Sequence, residues 1–531
     1  MNNSSKSITE HLKDEETTPP DYVLELTPQE KVGWQTKLGI YITMFLIGLY
    51  TIMDSVLYIP IANELNSLPK ADWIINGYMI TTTALQPIYG KGSDIVGRKA
   101  VIITATALLL AGSVMCALAQ SIEFIIASRA IQGLGSAGIY TTVNVIIADL
   151  FSERERARFM GIASCIWGIS IAVGVVLGGV VTQLSTWRVA FWINVPIAVI
   201  IALISWKNTH LPPVTGTARE KLRRMDFGGS ALCLASIVLI LLGLSWGGRD
   251  YPWASAAVLC CLILGIIIGF LFVYYEHKVP VEPIFPLRLL KQRNVAIALV
   301  GHLFFGAITY APTMFIPQWA LLVKNTTPIT SGLYTLPFTI TESVFVMLAG
   351  IWVNKSGRYR ECVWLGSCLL LAGLTPLVIL DQNTGLGKVI GFQFIAGIGF
   401  GLCIQTLILT GQASAPGSDV ASTTSTCLFM RSLGGILVVA VLSSVNGNVR
   451  SSKFSQLTSE FPNYTAEISK ISMNQSLIHK LDIPVELFNQ LVSGFMLGMR
   501  AAFIALIPFS ALFVLVVLGI KHISLEQSKK L

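Results

Sequence analysis

An all-α polytopic membrane protein is the fold class this sequence predicts, and three observations carry the prediction. Of 531 residues, 53% are hydrophobic and only 12% charged, where a soluble domain carries roughly 25% charged residues; mean hydropathy is +0.68. Apolar stretches of about 20 residues, the length that crosses a hydrocarbon core, recur along the chain. Basic residues crowd alternate loops, as cytoplasmic loops do. The composition excludes disordered, collagen-like and disulfide-rich secreted chains. The net charge of +8 belongs to those loops, so nucleic acid is not an expected partner.

Residues 1–36 are polar, with Pro19-Pro20 and the acidic run Asp14, Glu15, Glu16. They lack the apolar core of a signal peptide and are expected to be a disordered cytoplasmic tail. Fourteen spans follow, centred near residues 49, 83, 109, 135, 171, 198, 236, 265, 305, 341, 371, 399, 433 and 507. They divide into a six-helix half at 37–207, two linker helices with flanking cytoplasmic loops at 208–294, a second six-helix half at 295–520 and a cytoplasmic tail at 521–531. With the N-terminus inside, the inner loops hold Lys91, Arg98, Lys99, then Arg154, Arg156, Arg158, then Lys207 and Arg219 to Arg224, and later Lys355, Arg358 and Arg360. Outer loops hold little beyond Lys70, Arg188, Arg249, Lys324 and Lys388. Both termini are therefore expected in the cytoplasm. The long polar stretch 447–494 falls outside, and Asn463, Asn474 and Asn325 head glycosylation sequons there and in another outer loop.

The nine cysteines lie in or beside apolar segments without zinc-ligand spacing, so they read as small packing groups and no metal is expected. Phosphate loops, nucleophile triads and room for a catalytic domain are missing from the pattern, so neither an enzyme nor a cofactor is expected.

An internal repeat organises the chain. Gly90-Lys-Gly-Ser-Asp94-Ile-Val-Gly97-Arg98-Lys99 returns as Gly350-Ile-Trp-Val-Asn354-Lys-Ser-Gly357-Arg358-Tyr359 at a constant offset of 260 residues. Each copy follows the second span of its half, as parallel transporter repeats require. Gly90 permits close helix approach, Asp94 can cap a helix or pair with a base, Gly97 makes the turn, and Arg98 and Lys99 hold the loop at the inner face.

Polar residues inside the spans mark a cavity, because a charge in hydrocarbon costs about 2.5–3.5 kcal/mol on insertion scales. Thr43, Tyr50, Asp54 and Tyr58 share one face of the first span. Arg129, Gly133, Ser136, Tyr140 and Asn144, flanked by Gln132, share one face of the fourth. Asp54 lies six residues before Pro60, ~9 Å deep, and Arg129 about seven residues into its span, ~10 Å deep, at 1.5 Å per residue. A switchable ion pair fits that match; a static pair is the alternative. Ser331, Thr335, Thr339 and Glu342 stripe the tenth span, and Gly397, Gly401 and Gln405 the twelfth. Glu342 is either a second proton site or cation-binding carboxylate, or a group permanently hydrogen-bonded to Ser or Thr neighbours. Tyr50, Tyr58 and Tyr140 are the candidate cavity aromatics, while Trp73 and Tyr78 read as interfacial. His302 reads as a packing group.

The loop at Gly90–Lys99 resembles the first cytoplasmic-loop signature of the major facilitator superfamily, and Asn354, Gly357 and Arg358 its degenerate copy. Arg129-Ala-Ile-Gln132-Gly133-Leu-Gly135 resembles that family's fourth-helix signature. Trp187-Arg188 through Pro196, and Asp54 before Ile59-Pro60, resemble its drug:proton antiporter branch of fourteen helices. Glu282-Pro283, Arg293-Asn294, Gln405, Gln412 and Arg431 also sit where that branch has them. The fifth-helix signature departs: Val175 stands where the family has proline. The branch includes fungal multidrug exporters and vacuolar amino-acid transporters. The resemblance implies a monomeric proton-coupled antiporter in which the loop latches the halves and Asp54, Arg129 and Glu342 handle protons. Tyr50, Tyr58, Gln132, Ser136, Tyr140, Asn144, Thr335, Thr339 and Gln405 would line the substrate cavity. Its partners would be protons, a drug or amino-acid substrate and the bilayer, with the vacuolar membrane expected and the plasma membrane the alternative. A non-transporting nutrient sensor is the rival, disfavoured by the short tail after residue 520.

Overall fold

The structure, a computed structural model, describes residues 33–523 apart from 66, 68, 69, 209–219, 221–225, 249, 250, 280–284, 286, 327, 474 and 480. Asn474 and the side chain of Asp54 lie outside the described residues. Helices follow one another in the order α1 (Trp34–Val56), α2 (Tyr58–Glu64), α3 (Ala71–Val96), α4 (Arg98–Ala117), α5 (Ile122–Leu150), α6 (Glu153–Leu184) and α7 (Arg188–Asn208). Then come α8 (Phe227–Trp246), α9 (Ala256–Lys278), α10 (Arg293–Val323), α11 (Pro328–Leu333), α12 (Leu336–Ser356), α13 (Arg360–Leu374), α14 (Leu386–Ser414), α15 (Val420–Glu460), α16 (Thr465–Met473) and α17 (Val485–Leu518). Eleven of the described helices are long and apolar enough to cross a membrane.

Helix packing repeats along the chain. In the first set α1 packs on α6 and α7, α5 on α3 and α4, and α4 on α7. In the second, α10 packs on α15 and α17, α14 on α12 and α13, and α13 on α17. These are the same pairings between successive members of each set, as the 260-residue offset of the loop motif leads one to expect. The sets meet along two main seams, α3 against α15 and α6 against α12. The α8–α9 pair stands apart: α8 leans on both α3 and α15, while only 11% of the apolar window of α9 is buried.

Three expectations change shape. The first span does not run straight to Pro60: α1 stops at Val56, Leu57 is a bend, and Tyr58 opens a new helix. Pro60 has no N–H for the carbonyl of Val56 and its ring crowds that carbonyl, which favours a break at this point, although α3, α7, α10 and α17 run on through prolines of their own. The Gly90–Lys99 loop is hardly a loop. Helix α3 runs through Asp94 to Val96, and Gly97 alone, at φ 109° and ψ 142°, turns the chain into α4; only glycine takes that conformation at little cost. Finally, the polar stretch 447–494 is largely helical, because α15 continues to Glu460 and α17 already starts at Val485. Phe454, Leu457, Ile468, Ile471, Ile478 and Leu487 bury one another there and join the core of the second set.

Candidate functional site

In the first set a polar cluster forms around Arg129, which is 1% exposed within α5. Its Nη1 donates to Gln132 Oε1 at 2.8 Å, its Nε to the carbonyl of Ile74 at 3.3 Å, and its guanidinium lies 4.5 Å from the centre of the Tyr78 ring. Gln132 in turn donates to Ser113 Oγ at 3.0 Å. Gln132 therefore faces α4 and holds the arginine from behind, away from any cavity shared by the two sets. Tyr78 is the residue that sequence reasoning misplaced. Buried rather than interfacial, its hydroxyl bridges Ser136 Oγ at 2.6 Å and Thr51 Oγ1 at 3.2 Å, and its ring meets that of Tyr50 at 6.4 Å. Its depth was a usable signal: seven residues into α3 is ~10 Å, the depth of Arg129. Tyr58, carried off by the bend at Leu57, packs instead with Leu57, Ile61, Trp187 and Phe191.

The two sets meet at mid-height through side chains. Tyr140 of α5 accepts from Arg431 Nη2 of α15 at 2.8 Å, and its ring lies 5.5 Å from that of Trp167. Asn144 Nδ2 donates to the Tyr140 carbonyl at 2.8 Å. Gln405 of α14 donates to Ser164 Oγ of α6 at 2.8 Å, and Gln86 of α3 to Ser432 Oγ of α15 at 3.3 Å. On α12, Thr335 and Thr339 return their hydroxyls to the carbonyls of Gly332 and Thr335, and Ser343 to that of Thr339. Those hydroxyls are committed to backbone, and among the described residues Glu342 accepts no hydrogen bond, so it is not permanently tied to Ser or Thr neighbours.

At the Gly97 end the sets are closed against each other. Asp94 pairs with Arg98 at 2.5 Å rather than capping a helix, and Arg98 Nε reaches Asp149 Oδ2 of α5 at 3.0 Å. Arg98 Nη1 also donates to Ser93 Oγ at 2.6 Å. Asp149 was not expected; the triad it completes ties α3, α4 and α5 together. Lys99 stacks its ammonium 4.5 Å from the centre of the Trp206 ring. Gly90 lies against Ser425 of α15, leaving no room for a Cβ. A second clamp crosses between the sets: buried Arg156 donates to Gln412 Oε1 at 2.9 Å and to the carbonyls of Ala148 and Phe151, and Gln412 Nε2 donates to Thr424 Oγ1 at 2.9 Å.

Residues 40–439 match the Major Facilitator Superfamily. The chain belongs to the major facilitator superfamily. The MFS-type efflux pump LUC4 of a Fusarium species is 33% identical over 423 residues, 79% of this chain and 75% of that protein. Efflux pump dotC of Dothistroma septosporum is 34% identical over 409 residues, 76% of this chain and 69% of its own length. In fold, the chain resembles the crystal structure of the human organic anion transporter MFSD10, with a TM-score of 0.57 at 15% identity over 93% of this chain and all of that one. The protein is a membrane transporter of this superfamily.

Within this superfamily member the second loop copy builds no matching charge triad among the described residues. Asn354 replaces the first carboxylate, and Leu409 stands 260 residues after Asp149. Arg358 is exposed, with no ion pair among the described residues, and Gly357 at φ 69° simply ends α12. Of the sequon residues, Asn463 and Asn325 are both exposed, Asn325 at φ 53°.

Proposed function

We propose that this transporter is a proton-coupled antiporter of fourteen membrane-crossing helices, α1, α3 and α6 completing the eleven already counted, that removes small organic molecules from the cytosol. The N- and C-terminal tails and the Gly97 end face the cytoplasm in this reading, so the Gly90–Ser425 packing and the Arg156–Gln412 clamp close the cytoplasmic side. Two six-helix halves, at 37–207 and 295–520, rock about the α3–α15 and α6–α12 seams and expose the cavity alternately.

The observation that carries the reading is Arg129, a permanently charged group sealed inside an apolar bundle. A fixed cation at that depth needs a task. Asp54 on α1 shares its depth, and a carboxyl group beside a cation loses its proton readily and regains it when the cation moves off. Asp54 then carries the proton, Arg129 controls its release, and Gln132 with Tyr78 sets where Arg129 points. Glu342 is the second carboxylate of the cavity. Relatives named efflux pumps support outward transport; drugs or other toxic compounds, or basic amino acids, are the substrates this reading expects. At a vacuolar membrane the proton leaves the lumen as substrate enters; at the plasma membrane it enters the cell as substrate leaves. Both remove substrate from the cytosol, and the vacuolar membrane is the favoured site.

Gradient-driven uptake and counterflow in proteoliposomes test the reading together. Asp54→Asn should abolish uptake driven by an imposed pH gradient while counterflow persists. Full gradient-driven uptake by that variant would move the proton to Glu342 and reduce Asp54 to a structural partner of Arg129.

A further inference from the structure

We infer that Gly519–Ile523, the stretch that follows α17, is a strap gripped by Arg293, Asn294 and Tyr359, and that this grip braces the closure of the two halves at the Gly97 end. Arg293, Asn294 and Tyr359 are then positioning residues for the transport cycle. The inference is independent of what drives transport.

A helix end leaves carbonyls without partners inside the helix, and the chain beyond it ordinarily meets water. Here it meets side chains of other helices. Asn294, buried in the first turn of α10, engages the backbone of Lys521 in both directions: its Nδ2 donates to the Lys521 carbonyl at 2.8 Å, and its Oδ1 accepts from the Lys521 N–H at 2.9 Å. A primary amide holds its donor and acceptor side by side, so it pairs with a peptide unit as a neighbouring strand would. Arg293 Nε donates to the Gly519 carbonyl at 3.0 Å. Tyr359, fully buried just before α13, accepts from the Ile523 N–H at 3.2 Å, and its ring lies 5.8 Å from that of His522. Between these contacts Ile520 is buried in the core of the second set. In the last turn of α17 the Val517 carbonyl accepts from Trp364 Nε1 of α13 at 2.9 Å. The strap therefore joins the inner ends of α10, α13 and α17.

The first set ties part of this arrangement differently. Lys99 links α4 to the end of α7 through the Trp206 ring at 4.5 Å. Tyr359 stands 260 residues after Lys99 and links α13 to the residues after α17. A hydrogen bond and a ring contact thus stand where the first set uses a charge, and Arg293 and Asn294 extend the tie to α10. Among the described residues the second set builds no counterpart of the Asp94–Arg98–Asp149 triad. Its inner ends depend on the strap instead. From α10 the grip reaches the closure by a short route. Helix α10 packs along α15, and Arg288, in the turn Leu287–Lys291 that leads into α10, pairs with Asp419 at the foot of α15 at 2.8 Å. Six residues beyond Asp419, Ser425 lies against Gly90 of α3. Fixing the inner end of α10 thereby fixes the face that α15 presents to the other half.

The test is pulsed electron resonance on the purified full-length protein in lipid nanodiscs, in a cysteine-free background. Spin labels at 358 and 521, both exposed, report the strap, and labels at 100 and 417 report the closure. Asn294→Asp is nearly isosteric and keeps an acceptor for the Lys521 N–H, but it sets a carboxylate oxygen against the Lys521 carbonyl. It should lower the docked-to-released ratio of the strap on the order of 10- to 100-fold and broaden both distance distributions. Tyr359→Phe removes one hydrogen bond and keeps the ring, so its effect should be only roughly 2- to 10-fold. A flexible bismaleimide joining cysteines at 358 and 521 should restore the 100–417 distribution of Asn294→Asp, which a folding defect would not allow. An unchanged 358–521 distribution in Asn294→Asp, a released strap with an unaltered 100–417 distribution, or a cross-link that restores nothing would each overturn the inference. Because both readouts are distances, a failure of uptake driven by a pH gradient would count against proton coupling and leave the strap standing.

Discussion

Gly90→Ala is the smallest perturbation that reaches the closure at the Gly97 end. A Cβ at position 90 falls well inside 3.0 Å of both Oγ and Cβ of Ser425, while the carbonyl of Ala421 stays at a comfortable 3.7 Å. Rotating Ser425 moves its Oγ aside but not its Cβ, so α3 and α15 must separate by on the order of 1 Å to regain ordinary contact. Overpacking of this kind costs about 1–3 kcal/mol, and here the cost falls only on the state in which the two helices touch. The closed-to-open ratio at this end should therefore drop roughly 5- to 150-fold. The contact also predicts which second change restores it. Ser425→Ala keeps the offending Cβ and should not rescue Gly90→Ala; Ser425→Gly removes it and should. Spin labels at positions 100 and 417, both exposed at this end, report the separation by pulsed electron resonance in a cysteine-free background, alongside transport. Equal rescue by Ser425→Ala and Ser425→Gly, or an unchanged distance distribution in Gly90→Ala, would refute close packing as the basis of the closure.

In the charge triad the arginine should matter more than either acid. Arg98→Ala leaves Asp94 and Asp149 facing each other and should lower stability by about 1–3 kcal/mol, whereas Asp94→Asn leaves Arg98 paired with Asp149 and should cost about 1 kcal/mol or less; thermal unfolding of the purified variants ranks them, and the reverse order would reject the triad. Arg156→Lys should impair transport almost as severely as Arg156→Ala, because one ammonium cannot serve Gln412 and two carbonyls in the guanidinium's geometry; near-normal flux in the lysine variant would mean that charge alone suffices. Asn463→Gln should reduce a glycosidase-sensitive mobility shift, and joint replacement of Asn325, Asn463 and Asn474 should abolish it; cysteines at 94 and 354 should react only with reagent on the cytosolic side. Labelling of either from outside would invert the topology and the proton path with it.

Local chemistry made much of this fold legible. Hydropathy is a property of consecutive residues, so the helices could be located without knowing their neighbours. The 260-residue offset between the loop copies likewise announced two parallel halves. What escaped was choice of partner. Gln132 sits on the flank of the α5 polar face, and the 3.6-residue period cannot say whether that flank meets α4 or the cavity; Ser113 answers it. Tyr140 and Arg431 are 291 residues apart and on different halves, so nothing near either one announces their hydrogen bond. Asp149 was recoverable, because the repeat puts Leu409 in its place in the half whose loop has also lost its aspartate. The bend at Leu57 was recoverable only in part: proline disturbs the carbonyl four residues upstream of itself, yet α3, α7, α10 and α17 pass through prolines unbroken. In the stretch 447–494 an abundance of polar residues masked the apolar ones that bury one another.

The α8–α9 pair has a mechanical consequence. Because α8 rests on α3 of one half and α15 of the other, it lies across the line along which the halves would part in the proposed cycle. In that cycle it cannot ride with one without shearing over the other, so every turnover would drag the little-buried α9 through its surroundings. Acyl chains that fit loosely around α9 ease that slide, and stiff or mismatched ones brake it. The bilayer itself thereby becomes a source of friction in the cycle, acting through two helices that need never touch the substrate.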